Sequence, residues 1–188
     1  MQTSLRQKMR KSIGFFVIAM VVFALDQITK HWVLNNITVQ PGAGLYLEGD
    51  YLRPIIPHLL GFIHTRNDGA AFSLFNTYPV VLTAVAGVLA LGVLAWAIFS
   101  PENTRLTRIA LGLIFGGAVG NIADRFLHDF QVVDFILVLI TVNGRYWPTF
   151  NVADIAICVG IGLFLIAAYW AIPKPEPPIE ETPPAESE

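Results

Sequence analysis

Charge and cysteine are both scarce in this chain of 188 residues. Asp, Glu, Lys and Arg make up 14% of it against 54% hydrophobic residues, and the mean hydropathy is +0.58. A soluble domain of this length needs a more charged surface, so the composition excludes one and indicates an integral membrane protein. There is no basic excess either: 12 Lys and Arg stand against 14 Asp and Glu, which argues against nucleic-acid binding through a basic face. One cysteine, Cys158, excludes an intramolecular disulfide framework and a multi-cysteine zinc site. No His-Glu-x-x-His and no Gly-x-Ser-x-Gly occurs, and Cys158 lies inside an apolar run away from any of the four histidines, so the common metal, serine and cysteine hydrolytic kits lack support.

Four apolar stretches approach the roughly 20 residues needed to cross a ~30 Å hydrocarbon core. They fall at about 13–34, 79–99, 106–127 and 152–172. The expected fold is therefore an α-helical integral membrane protein of four transmembrane helices. Arg6, Lys8, Arg10 and Lys11 precede the first span, and Arg105 and Arg108 lie at the start of the third, beside its short connection to the second. By the positive-inside rule both termini are expected in the cytoplasm. A competing reading makes the basic start and the run from Ile13 to Leu25 a cleavable signal peptide, but cleavage would discard or expose Asp26 to Lys30.

The two outer segments, 35–78 and 128–150, complete a membrane domain expected over 1–172. In the first, Gly44–Tyr51 and Leu59–His64 read as short strands, with Phe72–Phe75 a possible third, which predicts a small extracytoplasmic β-sheet. Val132–Ile140 is too short to span and is broken by Asp134, so it reads as interfacial or re-entrant backbone packed on protein. Residues 173–188 hold six Pro and five Glu. That tail cannot bury enough apolar area to offset ordering and reads as a disordered cytoplasmic end without chemistry.

Polar residues within the spans carry the functional signal. Gly112, Gly116 and Gly120 recur every fourth position of the third span, a spacing that lets helices approach closely in lipid; packing alone accounts for them. Asp26 and Lys30 are four apart, in the order that favours a helical ion pair, and serve either as a strut or as functional charges. The third span ends in Asn121-Ile-Ala-Asp124-Arg125 and the fourth starts with Asn151-Val-Ala-Asp154. Asn151 suits a helix N-cap and Asp154 the third helical position, while Asp124 could pair with Arg125 or another base. With Asp134 between them, these carboxylates meet one membrane surface. Two that approach closely cannot both ionise, so one holds a proton while the other takes one from water, which is the equipment of an aspartic protease. Spacing alone leaves open which two of Asp124, Asp134 and Asp154 form the pair. The competing class is a small proton- or cation-coupled transporter or a lipid-binding scaffold, because intramembrane charges also mark ion relays.

Five ordered motifs resemble those of the lipoprotein signal peptidases, or signal peptidase II, of bacterial inner membranes: Asp26-Gln-Ile-Thr-Lys30, Arg66-Asn-Asp-Gly-Ala-Ala-Phe-Ser73, Gly116-Gly-Ala-Val-Gly-Asn-Ile-Ala-Asp-Arg125, Val132-Val-Asp-Phe135 and Phe150-Asn-Val-Ala-Asp154. The resemblance spans Ser12 to Trp170. It implies four transmembrane helices, an outer sheet cradling the substrate, and an intramembrane aspartic endopeptidase that cuts a prolipoprotein before a cysteine carrying diacylglycerol. It also implies that Asp134 and Asp154 are the catalytic pair, with Asn67, Asn121, Arg125 and Asn151 around substrate and dyad. Asp26, Lys30, Asp124, Gly116 and Gly120 then support the architecture, and Asp68 takes no role. The expected partners are diacylglyceryl-modified prolipoproteins and the phospholipid bilayer, with no nucleic acid, metal or cofactor. The chain is expected as a monomer in the bacterial inner membrane, its active site near the outer leaflet.

Overall fold

Each of the four apolar stretches is a helix in the computed structural model, which describes residues 5–41, 45–69, 78–100, 104–142 and 145–172. They are α1 (Leu5–Asn36), α2 (Pro79–Phe99), α3 (Arg105–Leu127) and α4 (Val152–Trp170). All four are long and apolar enough to span a membrane, α1 over Ser12–Asn36. Their starts follow from local chemistry. Pro79 opens α2, where its missing N–H would have no helical partner anyway. The Thr104 hydroxyl caps α3 by accepting from Thr107 N at 3.1 Å.

Helix α3 is the centre of the bundle, packed on α1, α2 and α4. Its glycines make that possible. A methyl group on Gly116 would lie 2.6 Å from the Ala19 carbonyl oxygen of α1, and one on Gly117 would lie 2.5 Å from the Ala153 carbonyl oxygen of α4. One glycine pair thus seats the central helix against two neighbours at backbone contact, where dispersion must replace the hydrophobic drive absent from lipid. The outer faces stay apolar and exposed, as at Val88, Leu91, Leu165 and Ile166, which suits contact with acyl chains.

The segments joining the helices on one side form an antiparallel sheet of β1 (Arg53–Ile56), β2 (Leu60–Asn67) and β3 (Val132–Val138), in that spatial order. Thr65 pairs with Asp134 and Asn67 with Val132, across an irregularity between Phe62 and Thr65. The sheet stands on the end of α1 through a cluster of Val33, Ile37, Val133, Phe135 and Ile136. A two-stranded ribbon, β4 (Thr141–Val142) with β5 (Arg145–Tyr146), follows.

The expected sheet is present, but two of its parts differ from the sequence reading. Within the expected strand Gly44–Tyr51, the described residues 45–51 form no strand: Gly49–Tyr51 is a 3-10 turn, with Gly49 at φ +59° and Tyr51 N donating to Glu48 O at 3.3 Å. Gly49 takes up the left-handed conformation that opens this turn, and the first strand begins after it, at Arg53. Val132–Val138, within the stretch read as interfacial or re-entrant backbone packed on protein, is regular strand. Its β-branched and aromatic run is buried on both faces, and pairing with β2 satisfies its backbone groups. The expected strand at Phe72–Phe75 and the tail at 173–188 lie outside the described residues.

Close approach at Gly116 sets a test. Gly116→Ala should lower unfolding stability in detergent by about 1–3 kcal/mol, the range for overpacking against atoms that cannot move aside. Gly92→Ala on α2, where a methyl meets nothing within 4 Å, should fall within about 0.5 kcal/mol of the parent. Equal effects at the two positions would refute the close-packed seam.

Candidate active site

The site gathers where the last turn of α3, the first turn of α4, the upper half of α1 and strands β2 and β3 meet. Lys30, 2% exposed, is its cation. Its Nζ lies 2.8 Å from Asp26 Oδ2 and 2.9 Å from Asp124 Oδ2, and it donates to Asn121 Oδ1 at 3.0 Å. The expected Asp26–Lys30 pair is therefore formed, and Asp124 takes Lys30 as its base; the Arg125 guanidinium instead donates to the carbonyls of Asn121 and Gly69. Both carboxylates also reach backbone: Ala153 N of α4 donates to Asp26 Oδ1 and Val133 N of β3 to Asp124 Oδ2, each at 3.0 Å. A methyl on Gly120 would lie 2.6 Å from Asp26 Oδ2, so this glycine makes room for a carboxylate as well as for a helix.

Gln27 belongs to the first of the five motifs, and the sequence gives it no role. Its amide reaches Asp26 Oδ2 at 3.2 Å, Asp124 Oδ1 at 3.1 Å and Gly120 O at 3.3 Å. Position next to Asp26 was the only sequence signal for it. Thr65 was missed entirely; its hydroxyl donates to Asp134 O at 2.9 Å and lies 2.9 Å from the Thr149 hydroxyl.

Asp134 and Asp154 form a second carboxylate group without a lysine contact. Asp134 sits on β3 at 2% exposure and accepts from Asn151 Nδ2 at 2.7 Å and Asn67 Nδ2 at 3.0 Å. Asp154 is half-buried in the first turn of α4. It accepts from Asn121 Nδ2 at 2.8 Å and from Asn151 N at 3.1 Å, while the Asn151 side chain accepts from Asp154 N at 2.9 Å. That reciprocal capping box fixes the helix start. One residue, Asn151, thus bonds both carboxylates. Burial first, and the charge of Asp154 second, push the Asp134 carboxyl up to about 7.

The structure places Asn67, Asn121 and Asn151 in direct contact with this pair. Arg125, 8% exposed, adjoins them through the Asn121 carbonyl. Asp26, Lys30 and Asp124 form the neighbouring ionic cluster, with Gly116 and Gly120 beneath it. Asp68 is exposed and makes none of these contacts. Among the described residues no group of three or more His, Cys, Asp or Glu is arranged to hold a metal.

Fold and site together define a multi-pass membrane protein with paired carboxylates at one end of its helical bundle. A profile of the family described as signal peptidase (SPase) II matches residues 18–170. Similar proteins include the lipoprotein signal peptidase of Thermosynechococcus vestitus, 36% identical over 164 residues covering 86% of this chain and 94% of the relative. Another is the lipoprotein signal peptidase of Shouchella clausii, 37% identical over 155 residues covering 80% of this chain and 89% of the relative. Two solved structures, described as bacterial membrane enzymes obtained by the in meso method, superpose with TM-scores of 0.70 and 0.69 at 27% identity. They cover 83% and 84% of this chain, and 87% and 94% of their own. The chain belongs to the signal peptidase II family and is an aspartic peptidase.

Removing one partner from the buried ionic cluster should be costly. Asp26→Ala leaves Lys30 with one carboxylate fewer and Ala153 N without its acceptor, so it should destabilise the protein by about 3–5 kcal/mol, read as loss of folded protein or a lower Tm together with lost activity. Unchanged folding with turnover abolished would instead move Asp26 into the reaction.

Proposed function

We propose that this peptidase removes the signal peptide from diacylglyceryl-modified prolipoproteins, cutting before the lipidated cysteine, with Asp134 and Asp154 as its catalytic pair. One observation carries the choice of pair: Asp26 and Asp124 are committed to Lys30, whereas Asn151 ties Asp134 and Asp154 to each other. Asp134, with its raised pKa, holds the shared proton near neutral pH.

In the first step Asp154 takes a proton from water as the water oxygen bonds to the peptide carbonyl carbon. Asp134 donates its proton to the carbonyl oxygen, giving a neutral tetrahedral diol. In the second, the C–N bond breaks, the departing amine takes the proton held by Asp154, and Asp134 recovers one from the collapsing diol. Each carboxyl ends in its starting state. Asn67, Asn121 and Asn151 hold the carboxyl oxygens in register, and Arg125 with its Gly69 contact borders the place where a substrate backbone would lie.

A substrate whose acyl chains remain in the bilayer presents its scissile bond near the interface, and the described site sits where helix ends meet the sheet. With Arg105 and Arg108 beside the α2–α3 connection on the opposite side, the positive-inside rule puts the sheet and the site at the outer leaflet and both termini in the cytoplasm of a bacterial inner membrane. A transporter reading finds less support: among the described residues the acidic groups inside the spans, Asp26, Asp124 and Asp154, gather at one end and do not trace a path across.

Asn is nearly isosteric with Asp but cannot exchange the required proton. Asp134→Asn and Asp154→Asn should each lower single-turnover cleavage of a diacylglyceryl-modified prolipoprotein by roughly 100-fold or more, with the substrate still bound. The double variant should be little worse than either, because the two act as a unit. Pairing of Asp124 with Asp154 makes the opposite forecast: folded Asp134→Asn protein would retain substantial turnover and folded Asp124→Asn protein would not.

A further inference from the structure

The sheet has a second face. Along β2, Thr65 contacts the Asp134 backbone and Asn67 bonds its carboxylate, so the alternation of a strand turns His64 and Arg66 the other way. There they border an open cavity of about 340 Å³ at the end of α1. Leu34 and Ile37 supply its apolar part, and Asn35, Thr38 and Val39 its edge. The membrane-length part of α1 ends at Asn36, and exposed Trp32 one turn earlier meets Phe62 of β2 edge-on, with ring centroids 6.2 Å apart. The cavity therefore lies at the depth where hydrocarbon gives way to headgroups.

Two features of the cavity point to its occupant. Among the described residues the ion pairs are Lys30 with Asp26 and Asp124, and Arg53 with Asp50; exposed Arg66 is in none of them. An arginine at headgroup depth without a carboxylate suits a phosphate, which it can bind through two parallel N–H bonds. His64, 4% exposed, has Nδ1 at 3.2 Å from Ile37 O. A carbonyl only accepts, so Nδ1 carries the proton and Nε2 is left as an acceptor, buried and without a partner. Burial pulls the ring's pKa below its usual value and keeps it neutral. Carbonyls near the end of α1 that would repel an anion are partly occupied: Asn35 Nδ2 donates to His31 O, Asn36 Nδ2 to Trp32 O, and Ile37 N to Val33 O.

We propose that this cavity is a binding site for the headgroup of an anionic phospholipid, its phosphodiester on Arg66, a headgroup hydroxyl donating to His64 and its glycerol backbone against Leu34 and Ile37. The site is on the opposite face of the sheet from the carboxylate pair. A bound lipid would fix the sheet against α1 without touching the reacting atoms.

Lipid titration of the full-length protein in detergent, followed by native mass spectrometry, tests this with three probes: phosphatidylglycerol, phosphatidylcholine and free glycerol phosphate. The parent should bind phosphatidylglycerol at least about fivefold more tightly than phosphatidylcholine, the effect of one basic side chain near a membrane surface. Arg66→Gln should abolish that preference, Arg66→Lys should keep most of it, and Arg53→Gln should leave it unchanged. Val39→Asp, which places a negative charge at the edge, should also abolish it and provides a second variant should Arg66→Gln fold poorly. No preference in the parent, or an equal loss in Arg53→Gln, would overturn the site. Binding of free glycerol phosphate as tight as that of the lipid would overturn the headgroup assignment in favour of a soluble anion.

Discussion

A buried lysine ammonium is the constraint on which the site depends. Taking Lys30 out of water carries a desolvation penalty of several kcal/mol, repaid only if its partners are close and their remaining valences are filled. Here Asp26, Asp124 and Asn121 surround it at 2.8–3.0 Å. The two carboxylates spread their remaining charge onto Ala153 N, Val133 N and Gln27. These contacts also tie the elements together: α1 holds α3 through Lys30, α4 through Asp26, and α3 holds β3 through Asp124. The helix spacing must be small enough for so short a network, and Gly116, Gly117 and Gly120 set it.

The same network divides the acids into two groups. One cation takes Asp26 and Asp124, and Asp134 with Asp154 are left to the asparagines. Val133, whose N–H is held by Asp124, directly precedes Asp134, and Ala153, held by Asp26, directly precedes Asp154. The ionic cluster thus fixes the backbone one residue before each member of the proposed dyad. That arrangement explains how a strand and a helix start, 20 positions apart in the chain, can hold carboxyls in a common register inside a site built partly from sheet.

What could be read in advance follows the range of the interactions involved. The spans were legible because a hydrocarbon slab imposes length and hydropathy on each helix separately. So were the Asp26–Lys30 pair and the Asn151–Asp154 cap, both set within one helical turn. The lysine's second carboxylate was not, since Lys30 and Asp124 are far apart in sequence and neighbouring Arg125 offered a nearer base. The backbone donors Ala153 and Val133 leave no trace in residue type. The first strand was placed too early because Gly49 reads equally as part of a Gly-rich strand or as the left-handed turn it forms, and only pairing with Leu60–Phe62 decides. Val132–Val138 was not legible as a strand because Asp134 breaks its apolar run, and the side chains that meet the cost of burying that carboxyl, Asn67 and Asn151, come from β2 and from beyond the strand.

The proposed mechanism rests on one proton, held near neutral pH by Asp134 because that carboxyl is buried and lies beside the charge of Asp154. Infrared titration of the folded protein measures it directly, through the carbonyl stretch of protonated carboxylic acids as pH is raised. The account predicts a buried-acid band present at about pH 6, lost with a midpoint close to 7, absent in Asp134→Asn and retained in Asp124→Asn. A band that survives in Asp134→Asn and disappears in Asp26→Asn or Asp124→Asn would place the proton in the lysine cluster and contradict it.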